Sequence, residues 1–201
     1  MFNKMIKNGL MTVVLAAVLA IGLCGCGNTQ KVDNIFEEAI KIKDGEIYFA
    51  DFEFFMSKDD IINTIKKSGE ATYVADPPIG PCVKSEFELD GLANKVEQRA
   101  MFGENDKAEE VLYSVYYYMT VEEAEKVDFC AKLYEQAKSF MPASKTDPES
   151  MELIKTCPEQ LNIMWQGSND AYVYLNVPAT PDVEGDVIIL QITAPRPYSE
   201  F

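Results

Sequence analysis

The chain contains no histidine in 201 residues. That absence removes Ser-His-Asp and Cys-His nucleophile pairs and every zinc site built on imidazole. Base catalysis near neutral pH would then fall to a carboxylate whose pKa is raised by burial. With 33 acidic residues, no spacing singles out such a pair. No serine begins an S-x-x-K, no G-x-S-x-G occurs, and no glycine-rich phosphate loop is present. Basic residues are scarce: 18 Lys plus Arg leave a net charge of −15. Such a surface repels nucleic acid, so a nucleic-acid partner is excluded. The charge reads as solubility beside an anionic membrane, or as attraction to a basic partner or cations. The acidic turns "GENDKAEE" (103–110) and "DVEGD" (182–186) lack the spacing of a calcium loop and read as solvated. Cysteine is also sparse. Cys82, Cys130 and Cys157 have no metal spacing, and an odd count leaves at least one thiol outside any disulfide. No metal and no cofactor is expected.

What is present begins at the N-terminus. Lys4 and Lys7 precede an apolar run from Leu10 to Leu23, and the first acid is Asp33. A basic start, an apolar core and a small-residue exit describe an export signal. Spanning a bilayer would take about 20 apolar residues. The charge-free stretch has that length, but it ends in Gly, Cys, Asn, Thr and Gln. Leu23-Cys24-Gly25-Cys26 resembles the lipobox of bacterial lipoproteins, with an aliphatic residue three places before the cysteine and a small one just before it. The resemblance implies cleavage after Gly25 and a diacylglyceryl group on Cys26. Residues 1–25 are then a signal peptide, and 26–32 a lipidated tether. Residues 33–201 form an extracytoplasmic domain held at the cell membrane through Cys26.

The rest of the chain alternates helix and strand signals. Residues 33–42 read as a short helix capped by Asp33, with a turn at Asp44-Gly45. Residues 46–55 read as a strand with Tyr48, Ala50, Phe52 and Phe54 on one face. Ser57, with Asp60 three places on, opens a helix over 58–68. "DPPIGPC" (76–82) reads as a rigid connector. Residues 83–89 alternate cleanly and predict a half-exposed antiparallel strand, turning at Asp90-Gly91 into a return strand over 92–102. Residues 111–119, "VLYSVYYYM", are strongly β-prone. Alternation places Tyr116 and Tyr118 on one face of that strand, with Tyr113 and Tyr117 on the other. Thr120 with Glu123 forms a second capping box, predicting a helix over 121–140 with an apolar stripe of Val127, Cys130, Ala131, Tyr134, Ala137 and Met141. Residues 142–150 are a Pro-broken loop. Strands follow at 161–166, 171–177 and 186–193.

These elements predict an α+β fold: an antiparallel sheet with two main helices on one face. The two capping boxes each follow an aromatic strand and precede a helix and several strands. The match is either coincidence, since such boxes are common, or a degenerate tandem repeat with halves 46–110 and 111–193. On "FFMSKDDIINTI" and the element order, residues 50–193 resemble the α+β repeats of β-lactamase-inhibitor-protein-like domains. That group includes SmpA/OmlA-type outer-membrane lipoproteins. The order of "VLYSVYYYM", a long helix and a closing meander bearing Trp165 is also similar to small Gram-positive lipoproteins. The residue before Met56 in the motif is Phe55 rather than the usual glycine, and no functional residue carries over. The resulting expectation is a membrane-anchored, non-enzymatic binding or protein-interaction module. Its partner would be basic or membrane-embedded, and Tyr113, Tyr116, Tyr117 and Tyr118 are the candidate contact surface. The alternative is an envelope-acting hydrolase using a carboxylate pair.

Overall fold

The computed structural model describes residues 31–68, 72–76, 80–105, 107, 109–141, 152, 154–158, 162–177 and 186–195. The expected signal segment with Cys26, the loop 142–150, the acids at 182–185 and the tail 196–201 lie outside these. In chain order the elements are α1 (Ile35–Ala39), β1 (Ile40–Lys43), β2 (Glu46–Phe49), α2 (Lys58–Ser68), β3 (Thr72–Asp76), β4 (Gly80–Phe87), β5 (Val96–Glu104), β6 (Glu110–Val121), α3 (Lys126–Phe140), β7 (Asn162–Gln166), β8 (Tyr172–Asn176) and β9 (Asp186–Thr193). The fold is α+β. A seven-stranded antiparallel sheet runs β3-β4-β5-β6-β9-β8-β7, and β1 and β2 form a separate hairpin. The element order runs helix then three-stranded meander twice, α2 with β3 to β5 and α3 with β7 to β9.

One face of the large sheet builds the core. Val83, Val96, Ala100, Val115, Tyr117, Met119, Ile188, Leu190, Val173 and Trp165 cluster there with Ile35 and Phe36 of α1, Ile61 and Ile65 of α2, and Phe129, Cys130, Leu133 and Tyr134 of α3. α1, α2, α3 and the small hairpin therefore sit on that face. Trp165 is almost fully buried and meets Phe36 edge-on, with ring centroids 6.3 Å apart.

Several local expectations are corrected. The helix expected over 33–42 stops at Ala39, and its cap is Asn34, whose Oδ1 accepts from Phe36 N at 3.0 Å. Ile40 and Ile42 instead pair with Phe49 and Ile47 around Asp44-Gly45, where φ is 54° and 84°. Two positive φ values are what a tight primed hairpin requires. In β2 the buried residues are Ile47 and Phe49, not Tyr48, and the strand ends at Phe49. Of the connector expected at 76–82, Asp76 and 80–82 are strand instead, with Asp76 paired to Gly80, Ala75 to Pro81 and Val74 to Cys82, and 77–79 lie outside the described residues. The turn at Asp90-Gly91 lies within a longer connection, since β4 ends at Phe87 and β5 starts at Val96.

Of the two expected caps, the first holds. Ser57 Oγ accepts from Asp60 N at 3.3 Å and donates to the Asp60 carboxylate at 2.7 Å. The second does not. Thr120 and Val121 belong to β6, paired with Val187 and Asp186. The helix begins only at Lys126, and its cap residue, Glu125, makes no side-chain cap bond. Two β-branched residues beside a partner strand gain more by extending the ladder and burying Val121 than by opening a helix. The buried stripe of α3 shifts accordingly to Phe129, Cys130, Leu133, Tyr134 and Ala137, while Val127 and Ala131 are half-buried.

Candidate functional site

The tyrosines of β6 sit in the centre of the sheet. Opposite β5 the register shifts, so that Met101 faces Ser114 and Phe102 faces Leu112. Tyr113 is the extra residue of this β-bulge. A bulge breaks the alternation of side chains, and here it corrects the expected pairing of Tyr113 with Tyr117. Tyr113 is turned out of the core, 37% exposed, against Gly103. It is among the groups that raise the Tyr116 phenol pKa. Tyr117 alone points into the core. Its hydroxyl accepts from Gln98 Nε2 at 3.0 Å, Gln98 Oε1 accepts from Ser85 Oγ at 2.7 Å, and burial pushes its pKa far up.

Tyr116 and Tyr118 project from the opposite face, which no described helix covers. Their rings lie nearly parallel with centroids 6.0 Å apart. Registry then extends the face across the neighbouring strands. On β9, Gln191 stands beside Tyr116 and Thr193 beside Ser114; on β8, Tyr174 stands beside Gln191 and Tyr172 beside Thr193. Tyr172 and Tyr174 form a second stacked pair, 6.2 Å apart. Two tyrosine ladders thus flank a strip of β9, about 10 Å apart by the spacing of alternate strands. The floor of the strip is polar and cross-linked. Gln191 Nε2 donates to Thr193 Oγ1 at 2.9 Å and to Ser114 Oγ at 3.4 Å, and Ser114 donates to Ile192 O at 2.8 Å. On the edge strand β7, Asn162, Met164 and Gln166 complete the face, with Met164 opposite Tyr174 and 41% exposed.

Charge divides this face in two. Its β4–β5 part carries Lys84, Glu86, Glu97 and Arg99, whereas the outward residues of β6, β8 and β7, and those of β9 from Val187 to Thr193, carry none. In a chain that is 25% charged residues this is a marked local depletion. The border is Arg99, whose guanidinium lies 4.3 Å from the Tyr118 ring centroid and pairs with Glu97. Burial raises the phenol pKa of Tyr113, Tyr116 and Tyr118 above 10.0, so all three stay neutral donors at physiological pH. Depletion of charge together with tyrosine and methionine is the composition of interface cores.

The small hairpin is clamped to the sheet by one side chain. Asn169, in the β7–β8 turn, accepts from Ile47 N at 3.2 Å and donates to Ile47 O at 2.8 Å. Gly167 permits the approach, since a Cβ there would stand 2.9 Å from Ile47 N.

Other chemistry is thin. Among the described residues no three carboxylate or thiol groups gather as metal ligands, and no helix is long and apolar enough to cross a membrane. Cys82 is buried on the tyrosine side of the sheet and Cys130 in α3 on the other, so the sheet separates them. Glu38 on α1 has its carboxyl pKa raised, first by burial and then by Asp51. Sequence reasoning missed Tyr172, Tyr174 and Gln191. The alternation in "YVYLN" was available as a signal, but nothing local places β9 between β6 and β8. No family model matches the chain, and no curated protein or solved structure shows a match to it.

Proposed function

We propose that this chain is a membrane-anchored extracytoplasmic lipoprotein whose domain is a non-catalytic binding module, with the neutral tyrosine face as its contact surface. The anchor rests on Leu23-Cys24-Gly25-Cys26. The binding surface rests on one observation, the charge-free sheet half bearing two tyrosine ladders. Val32 pairs with Leu89 at the β4–β5 end of the sheet, so the chain enters there. A tether from Cys26 to Lys31 reaches at most about 20 Å, which keeps the face close to the bilayer and suits a membrane-embedded partner. The acidic remainder of the surface would attract basic segments around it. The likeness in element order to β-lactamase-inhibitor-protein-like repeats belongs to the same reading.

The test is capture of partners from solubilised membranes by the lipidated chain and by a Tyr116→Lys/Tyr174→Lys variant. Both side chains are half-buried at the surface, and an unchanged circular dichroism spectrum of the variant is required before loss of capture is read as loss of binding. Loss of a specific partner with the variant is expected; identical capture would reject the tyrosine face. Fatty-acid labelling tests the anchor separately, with label expected on the wild type and absent from Cys26→Ala. A second reading, hydrolysis of envelope material, draws on Glu38 beside Asp51, because a raised carboxyl pKa is a mark of acid–base sites. Turnover of peptidoglycan that is abolished by Glu38→Gln would favour it.

A further inference from the structure

Among the described residues, nothing pairs with the outer backbone of the edge strand β7. Gly167 N donates to Ala171 O at 2.9 Å, which makes these residues a hydrogen-bonded pair. Bonded pairs alternate along an antiparallel ladder, so Trp165 with Val173 and Ile163 with Leu175 are the next ones. The backbone N–H and C=O groups of Asn162, Met164 and Gln166 therefore face away from β8. Among the described residues no strand lies beyond β7. Sheet edges are normally blunted by proline, charge or a bulge. Asn-Ile-Met-Trp-Gln has no proline and no charge, and its register with β8 is unbroken. The opposite edge, β3, ends in Asp76 and carries Lys58 over the Tyr73 ring at 4.7 Å.

We infer that β7 is a self-association edge, joining two copies of this chain in antiparallel register about a two-fold axis at Met164. The strand is self-complementary in that register: Met164 meets its symmetry mate, and Asn162 meets Gln166 of the second copy. A two-fold contact requires such matching. Charge is compatible with this occupant at this edge. Each copy is strongly acidic, but Asn162–Gln166 carries no charge, so no like charges oppose each other across the paired strands. The pairing fuses the two sheets and brings the Tyr172–Tyr174 ladders of both copies onto one continuous face. Five residues of strand bury less than the 1,200 Å² or so of a stable interface, so the association is concentration-dependent and is favoured where chains share one surface. The inference rests on the β7 edge and is independent of the identity of any partner of the tyrosine face.

The test is oxidative cross-linking of the full chain in excess mild detergent, carrying single cysteines at Met164, Gln166 or Thr72. Residues paired across the axis have Cα atoms about 5.5 Å apart, within disulfide reach. Met164→Cys should give a covalent dimer beyond the background of the native thiols. Gln166→Cys should not dimerise alone but should when mixed with Asn162→Cys. Thr72→Cys, on the far edge, reports chance sharing of a micelle. In sedimentation, Met164→Lys should lose the dimer while keeping its melting temperature, because that side chain points to solvent. Equal cross-linking at positions 164 and 72, or a dimer that survives Met164→Lys, would overturn the inference.

Discussion

Removing the Asn169 side chain should loosen the β1–β2 hairpin's hold on the main sheet, which keeps the bond from Ser168 N to Gly45 O at 2.9 Å. Its amide is a two-way clamp, whose Oδ1 accepts from Ile47 N at 3.2 Å and whose Nδ2 donates a hydrogen bond to the Ile47 carbonyl at 2.8 Å. Ile47 is fully buried, with its side chain in the core. Asn169→Ala leaves one donor and one acceptor of the main chain without partners, at about 1–3 kcal/mol each when water is excluded. The site is part-buried, and water entering the vacated volume recovers some of this. A net loss of about 2–3 kcal/mol follows. With a urea slope of about 2 kcal/mol per molar, the midpoint should fall by about 1–1.5 M. Asn169→Asp should be at least as costly at neutral pH, because it sets a carboxylate against the Ile47 carbonyl. Gln166→Ala, an exposed change on the same hairpin, should stay within about 0.5 kcal/mol. Equilibrium urea unfolding followed by Trp165 fluorescence is the assay, since Trp165 is the single tryptophan and lies next to the turn. A loss for Asn169→Ala no larger than that for Gln166→Ala would refute the clamp.

The helix starts give a paired test. Ser57→Ala should cost about 1 kcal/mol, the usual loss of a side-chain cap, whereas Thr120→Ala should lower stability only by the loss of a strand side chain and leave α3 helicity unchanged by circular dichroism. Glu38→Gln should raise the melting temperature at pH 7, because the folded state raises this carboxyl's pKa through burial and Asp51. The sign follows directly: the native contribution is intact while Glu38 is protonated and is lost as pH rises through its titration. The advantage of the variant should therefore vanish on acidification below the carboxylate range. The outward tyrosines work the same way at high pH. Their pKa values are raised above 10.0 by burial, so stability should decline as pH rises past about 10, and phenolate absorbance should develop together with unfolding. Phenolate appearing at pH 10 without loss of structure would contradict the burial of that face.

The sequence by itself determined the parts of this protein that depend on near neighbours. Lys58–Ser68 is a helix because Ser57 and Asp60 cap each other and Ile61 and Ile65 share a face. Asp186–Thr193 is a strand because it is a run rich in β-branched residues, and Asp44-Gly45 is a turn because both residues tolerate positive φ. The α+β class follows from these. Tertiary structure decided what local pattern leaves open. Thr120 and Val121 read as a helix start until β9 is laid beside them and rewards extension. The run 72–82 holds three prolines and a glycine, yet Thr72–Asp76 pairs with Gly80–Lys84 because β5 supplies the next ladder. Tyr113 changes sides because it is the extra residue where the register of β6 against β5 shifts, which only the pairing of the two strands reveals. The candidate surface depends most on tertiary structure. Its residues come from strands that are scattered through the chain, and only the order β6-β9-β8-β7 gathers them. A face free of charge is a property of strand neighbours, set by hydrogen-bonded register between segments distant in the chain, and that register is fixed by the burial of the opposite face.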